Sequence, residues 1–150
     1  MKKLFAYILL IITCVAIFSS CGSTVPLENG TYRVEYDSYD DFGYKDFIEI
    51  KVVDGAIVSI VADGVDQNGS LKTESGDYKT SMESITGTYP AKYYKDLINE
   101  YTGKGSIDNV DVIAGATISS ESFKVLMKAV EKTMKSQSSV QGNVLVVKRG

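Results

Sequence analysis

The sequence predicts an α+β fold in which an antiparallel β-meander packs against two or three helices, within a single small domain. Three observations lead to this fold. Between residues 30 and 62 apolar and polar side chains alternate, as they do in half-buried strands. From residue 78 onward apolar side chains recur every three or four positions, as they do in amphipathic helices. The chain of 150 residues is long enough to bury one hydrophobic core.

The predicted strands cover residues 31–39, 44–53 and 56–62. In the first of them Tyr32, Val34 and Tyr36 alternate with polar side chains. Asp54 and Gly55 separate the second strand from the third, and glycine accepts the positive φ that a tight hairpin requires. Sequential strands joined by such turns form an antiparallel meander.

Three helices are predicted after the meander. A short helix around Tyr78 ends at Gly87, and the next begins at Pro90, since proline suits a first helical position. A final helix covers residues 119–135, with Ser119 as its cap and Glu121 complementing the positive end of its dipole. Its predicted buried face is Phe123, Leu126, Met127, Val130 and Met134. Residues 143–148 are predicted to form a last strand.

The first residues have the composition of an export signal. Lys2 and Lys3 precede an apolar run at residues 4–18, which is shorter than the roughly 20 residues of a membrane-spanning helix. Residues 18–21 then resemble the lipobox of bacterial lipoproteins, in which the cysteine is acylated, although Phe18 stands where leucine is usual. This resemblance implies a signal peptide at residues 1–20, lipidation of Cys21, a tether at residues 21–29 and a domain at residues 30–150. An ordinary signal peptide or a single membrane anchor is the alternative.

Composition excludes several classes of function. Cleavage before Cys21 removes Cys14 and leaves Cys21 for lipid, so no thiol remains for a disulfide or a metal, and the chain contains no histidine. A Ser-His or Cys-His nucleophile pair is therefore excluded, and no metal site is expected. Loss of Lys2 and Lys3 leaves 14 basic against 19 acidic side chains, a net charge of −5, which argues against a nucleic-acid partner.

The segment most informative about function is residues 111–120. Small residues at Gly115 and Ala116 feed directly into a predicted helix start, where free backbone N–H groups favour an anion such as phosphate. Thr117 presents a hydroxyl at the same place. From the residues alone, the alternative is a glycine-containing loop before a well-capped helix.

The same residues resemble the signature of the FMN-binding domain family, Asp-x-x-(Ser/Thr)-Gly-Ala-Thr followed by Ser. In that family, which includes flavoprotein subunits of Rnf and sodium-pumping quinone reductase complexes, a magnesium-dependent flavin transferase takes FMN from FAD. It joins the FMN phosphate to the threonine of the motif. The resemblance implies covalent FMN on Thr117, with Asp111, Gly115 and Ala116 matching the rest of the signature. Ser119 and Ser120 follow at the predicted helix start, and Ala114 replaces the usual serine or threonine. The match is sharpest over about ten residues and looser over residues 30–135.

Aromatic and basic side chains supply further candidates. Tyr89 is a candidate wall of the flavin pocket, since aromatic rings stack on flavins, or else a residue between core and solvent. Tyr93, Tyr94 and Tyr101 are expected to straddle core and solvent. Lys72 and Lys92 are candidate phosphate contacts, with solvated surface charge as the alternative.

Together these features predict a lipid-anchored flavoprotein on the extracytoplasmic face of the cell membrane. Because no general acid, base or nucleophile is evident, an electron carrier is expected rather than a catalyst with its own substrate. The resemblance implies a flavin transferase, a membrane dehydrogenase or quinone-linked donor, and an extracytoplasmic acceptor as partners. The alternative is a non-redox lipoprotein that serves as a binding or assembly module on the same scaffold.

Overall fold

The computed structural model describes residues 27–136 and 144–150. The predicted signal peptide, Cys21 and most of the predicted tether lie outside these residues. The elements in chain order are β1 Gly30–Tyr36, β2 Lys45–Val53, β3 Ala56–Val65, α1 Gly76–Thr86, α2 Pro90–Lys104, α3 Thr117–Lys135 and β4 Val144–Val147. Short 3₁₀ turns at Lys72–Glu74 and Ile107–Asn109 precede α1 and α3.

The four strands form one mixed sheet in the order β3-β2-β1-β4. β1, β2 and β3 are an antiparallel meander, as predicted, and Asp54 and Gly55 adopt positive φ in the predicted hairpin. The last strand is also confirmed, but it pairs parallel to β1. The fold is thus a single small α+β domain.

One face of the sheet carries the core. α3 packs across β1 and β2, and all five predicted inward residues of α3 are buried. α2 adds Tyr93, Tyr94 and Leu97. Tyr93 and Tyr94 are fully buried, so the prediction that they straddle core and solvent is wrong. Tyr101 does straddle them, since its half-buried hydroxyl donates to Glu131 (2.9 Å).

The helix ends agree with the sequence except at α3. Gly87 closes α1 with φ 72°, and Pro90 opens α2. α3 begins two residues earlier than predicted, at Thr117, with Ala116 in the cap position and no capping side chain. Ser119 is therefore not the cap, and no acidic residue lies in the first turn, so the role predicted for Glu121 is also wrong.

None of the helices within residues 27–136 and 144–150 is long and apolar enough to cross a membrane.

Candidate functional site

A cavity of about 770 Å³ lies between α1, the β1–β2 connection and the start of α3. Its volume falls in the range of about 300–1,000 Å³ that is usual for small-molecule and cofactor sites. Three groups of residues line it. The first is Asp40, Phe42 and Tyr44 before β2, and the second is Lys72 and Ser75 with one side of α1, namely Asp77, Tyr78, Ser81, Met82, Ile85 and Thr86. The third is Gly115 to Ser119 at the start of α3.

The start of α3 opens onto this cavity. Thr117 is the first helical residue, and its side chain is exposed. The first N–H groups of any helix lack partners within the helix, and here no side chain caps them. Donors and the positive end of the helix dipole therefore remain available for an anion beside the threonine hydroxyl.

Gly115 brings this turn against the end of α1. Its φ is 79°, in the left-handed region that side chains rarely adopt, and a Cβ there would lie 2.7 Å from Thr86 Cβ and 2.9 Å from Thr86 O. Both the conformation and the contact therefore require glycine.

Ser120 fixes the turn from behind. Its buried hydroxyl donates to Ala116 O (2.8 Å) and accepts from the Ile113 N–H (3.0 Å), while the Ala116 N–H donates to Ile113 O (2.9 Å). The backbone that presents Thr117 is thus held by three hydrogen bonds.

The opposite wall is aromatic. Asp40 Oδ1 accepts from the N–H groups of Phe42 (3.0 Å) and Tyr44 (2.8 Å), which orders the loop carrying these two rings. Both rings meet Tyr78 of α1 edge to face, with centroids 6.0 Å and 5.5 Å from it. Residues distant in sequence thereby form one aromatic surface.

Lys72 lies within that aromatic surface. It is only 2% exposed, and its ammonium is 5.0 Å from the Tyr78 ring centroid and 5.2 Å from that of Tyr44. The ammonium forms an ion pair with Asp40 Oδ2 at 3.4 Å. Burial by itself opposes the charged form, but the surrounding phenolic and carboxylate groups raise the pKa of Lys72 above its ordinary value. The cavity wall therefore contains a buried lysine whose ammonium lies beside the Asp40 carboxylate.

Hydrogen bonds anchor the segment that carries this lysine. Buried Asp63 at the end of β3 accepts from both the backbone N–H and the hydroxyl of Thr73. Gly64 lets the Lys72 side chain pack closely against β3, because a Cβ at position 64 would lie 3.2 Å from Lys72 Cδ. The position of Lys72 thus depends on β3 as well as on the turn before α1.

Large apolar side chains surround the mouth of the cavity. Phe42, Ile85 and Ile118 all line it, yet each is exposed, Ile85 to 83%. Burying such side chains against an apolar ligand removes this surface from water and is favourable.

The structure brings four of the predicted site residues together, since Gly115, Ala116, Thr117 and Ser119 all line the cavity. Asp111, Ser120 and Tyr89 do not line it. Ser120 lies behind the turn, and the Asp111 carboxylate is 81% exposed and pairs with Lys104 (2.8 Å). The ring of Tyr89 instead lies under the Lys79 ammonium (4.5 Å).

Of the two candidate lysines, Lys92 is exposed and pairs with Asp96 (2.6 Å). Lys72 is buried, which excludes the surface-charge alternative for that residue. Sequence reasoning missed Asp40, Phe42, Tyr44 and Tyr78. No local pattern marks them, because their shared position depends on the packing of α1 beside the β1–β2 connection.

Comparison with known proteins places the chain in a family. No protein-family model matches it. The 15 kDa lipoprotein of Treponema pallidum (strain Nichols) is 36% identical over 117 residues, which are 78% of this chain and 83% of that protein. The chain belongs to the family of this lipoprotein. The lipoprotein prediction is confirmed to that extent, while Cys21 itself lies outside the described residues.

A solved crystal structure shares the fold. The crystal structure of a Clostridium perfringens protein aligns with a TM-score of 0.73 at 34% identity, covering 83% of this chain and 99% of that one. A solution structure of a Clostridium thermocellum protein aligns with a TM-score of 0.43 at 21% identity, covering 71% and 91%.

Proposed function

We propose that this lipoprotein carries FMN, joined through its phosphate to Thr117, and acts as an extracytoplasmic electron carrier. The observation that carries the proposal is the position of Thr117: its hydroxyl lies at an uncapped helix start that lines a cavity of cofactor size with an aromatic wall.

The phosphate end of FMN suits the start of α3. A phosphate on the Thr117 oxygen would lie beside the free N–H groups of the first turn, where the helix dipole favours negative charge. Gly115 allows close approach of the backbone.

The isoalloxazine ring suits the rest of the cavity. Phe42, Tyr44 and Tyr78 offer aromatic surface, and Met82 and Ile85 of α1 offer aliphatic surface. Because the mouth is open and apolar, one edge of the ring would remain close to solvent, where a partner can reach it. The flavin supplies the redox chemistry, and the protein supplies attachment, orientation and electrostatics.

Attachment requires a second protein. The Thr117 oxygen forms a bond to the FMN phosphorus of FAD, the diphosphate P–O bond breaks, AMP leaves, and the hydroxyl proton passes to a base. A threonine hydroxyl is a weak nucleophile, and this chain has no histidine to activate it. The base and the magnesium therefore belong to the flavin transferase.

The proposed location is the extracytoplasmic face of the cell membrane, with lipid on Cys21. There the partners are a membrane dehydrogenase or quinone-linked donor and an extracytoplasmic acceptor. Export explains covalent attachment, since lost FMN could not be replaced from cytoplasmic pools. We expect Cys21→Ala protein to lose its lipid and leave the membrane fraction. Retention of that variant in membranes with residues 1–20 attached would indicate a membrane-spanning anchor instead.

The deciding experiment is mass mapping of protein made with an active flavin transferase and FAD. Wild type should gain one FMN on the peptide containing Thr117 and keep its yellow colour after denaturation. Thr117→Val should gain none, Thr117→Ser should gain some, and Thr102→Val, which alters an exposed helix threonine, should match wild type. Wild type without flavin, or flavin on another residue, would refute the proposal.

The second candidate function is a binding or assembly module that holds a phosphate-bearing ligand without covalent attachment. Ala114 favours it, since this exposed residue replaces the hydroxyl of the family signature. If the flavoprotein proposal is right, Ala114→Ser should load at least as fast as wild type. Loading of Ala114→Ser alone would favour the binding module for the natural chain.

A further inference from the structure

The cavity has two chemically different ends along α1. Thr86, at the last position of α1, contacts the Gly115 turn, so this end carries Thr117. Tyr78, in the first turn of α1, contacts the aromatic rings around Lys72. Thr86 is eight positions after Tyr78 in the helix, a rise of roughly 12 Å at 1.5 Å per residue. The ring beside the Lys72 ammonium and the turn before Thr117 therefore contact α1 roughly two helical turns apart.

We propose that Lys72 faces the flavin ring rather than the phosphate, and raises the reduction potential of the ring. This inference rests on the proposed attachment of FMN to Thr117. With the phosphate fixed at the start of α3, the ring extends toward the Tyr78 end, where the Lys72 ammonium lies.

Charge and burial give Lys72 this effect. Two-electron reduction adds two electrons and, at N5, one proton to the ring, which leaves negative charge near N1 and the C2 carbonyl. A fixed cation in a site shielded from water stabilises charge that develops there, and interactions of this kind are strongest at low dielectric. In this proposal Lys72 acts as a positive charge and transfers no proton.

Asp40 moderates the effect. One of its carboxylate oxygens is engaged by the two backbone N–H groups of the loop, and the other is 3.4 Å from Lys72 Nζ, a long contact for an ion pair. Asp46 is a second buried carboxylate that acts on Lys72, so Asp40 supplies part of the opposing negative charge. Removing the negative charge from Asp40 should raise the reduction potential of the flavin, whereas removing the positive charge of Lys72 should lower it.

The test is the midpoint potential of the flavin on loaded, full-chain protein, measured against reference dyes. Relative to wild type, Lys72→Met should disfavour the reduced state at least tenfold, which is about 30 mV for a two-electron couple. Lys72→Arg should restore most of the difference. Lys92→Met, which removes an exposed lysine and its ion pair on α2, should leave the potential unchanged.

Asp40→Asn keeps the acceptor oxygen of the loop and tests the inference if Lys72→Met protein does not fold or load. It should raise the potential, and an unchanged or lower value would overturn the inference. An unchanged potential in loaded Lys72→Met would overturn it as well, and normal potential with poor loading would place Lys72 at the phosphate. These results differ from failure of the proposed function, in which wild type itself carries no flavin.

Discussion

Gly115 is the residue at which conformation and packing are most closely joined. Its φ of 79° and its contact with Thr86 connect the turn before α3 to the end of α1. Any side chain at this position must strain the backbone or push α1 outward, and either change would alter the cavity beside Thr117.

Gly115→Ala is expected to lower the free energy of unfolding by more than about 1 kcal/mol, because alanine is incompatible with this φ and this space. Gly103→Ala is a matched control, since Gly103 lies in helical conformation in α2 with open space around it. That control should be neutral or more stable by up to about 1 kcal/mol. Urea denaturation measures both, and equal stability of the two variants would contradict the expectation.

Asp46 is a buried carboxylate next to the site. It accepts a hydrogen bond from the Tyr94 hydroxyl (3.1 Å). Burial raises the pKa of Asp46 above its ordinary value, although Lys72 opposes this shift. The folded protein therefore holds this proton more tightly than the unfolded chain does, so the contribution of Asp46 to stability is greatest at low pH and declines as pH rises from about 3.8 through the raised value.

Asp46→Asn should remove this pH dependence while keeping an acceptor for Tyr94. The free energy of unfolding of wild type, minus that of the variant, should fall as pH rises from 3.5 to 7. Asp108→Asn is the control, because Lys128 lowers the pKa of that exposed carboxyl and gives any dependence the opposite sign. If the stability difference between wild type and Asp46→Asn stays constant or rises with pH, burial does not control the pKa of Asp46.

At the scale of elements, α3 both completes the core and presents the site. Its first residue is Thr117, and one face of its remaining turns packs on the sheet. Fixing α3 on the sheet thus fixes the position of the hydroxyl.

Leu126→Ala should therefore cost about 2–5 kcal/mol of folding stability, since this leucine is fully buried in the core. Its neighbour Val125 is 44% exposed on the same helix, and Val125→Ala should change stability by no more than about 0.5 kcal/mol. Chemical denaturation of both variants checks this assignment. Similar losses of stability in the two variants would show that the buried face of α3 is assigned incorrectly.

α1 is held differently. None of its residues is buried, although Ser75 caps its start by accepting from the Tyr78 N–H (3.3 Å), and one side of it lines the cavity. Because it has fewer buried contacts than α3, α1 is expected to have the lower local stability of the two helices.

Attachment of FMN should slow amide hydrogen exchange in α1 and leave the central turns of α3 unchanged. Exchange measured by mass spectrometry on loaded and unloaded wild type tests this. Thr117→Val, treated in the same way with the transferase, is the control and should give the unloaded pattern. Equal exchange of α1 in loaded and unloaded protein would mean that the ligand does not rest against this helix.

At the scale of the whole molecule, the start of the described chain and the cavity lie at opposite ends of β1. Asn29 Oδ1 accepts from the Gly55 N–H (3.1 Å), so the chain enters the domain beside the β2–β3 hairpin. The cavity lies at the other end of β1, next to the β1–β2 connection. Seven residues of strand separate these ends by about 20 Å.

If Cys21 carries lipid as proposed, the described chain begins at the end of the domain away from the cavity. We expect the flavin of lipidated protein on vesicles to be quenched efficiently by iodide in the water and poorly by a quencher buried in the bilayer. Soluble protein with Cys21→Ala should respond to iodide to the same degree. Strong quenching from the bilayer would show that the tether lets the domain turn its cavity toward the membrane.

The sequence by itself determined the strands, the hairpin at Asp54 and Gly55, the end of α1 at Gly87 and the buried face of α3. These features depend on local periodicity and on residues with special backbone preferences, which can be read without tertiary contacts. It also predicted Thr117 as the central residue, since the motif is continuous in the chain.

Only the tertiary structure decided what surrounds that threonine. α3 begins at Thr117 rather than at the predicted Ser119, because contacts with Ser120 and Thr86 fix the preceding turn and no side chain caps the helix. Lys72 is buried because Asp63 of β3 binds the neighbouring Thr73 and because the rings of Tyr44 and Tyr78 cover its ammonium. Burial and proximity between distant segments follow from packing, so charge alone could not distinguish Lys72 from the exposed Lys92.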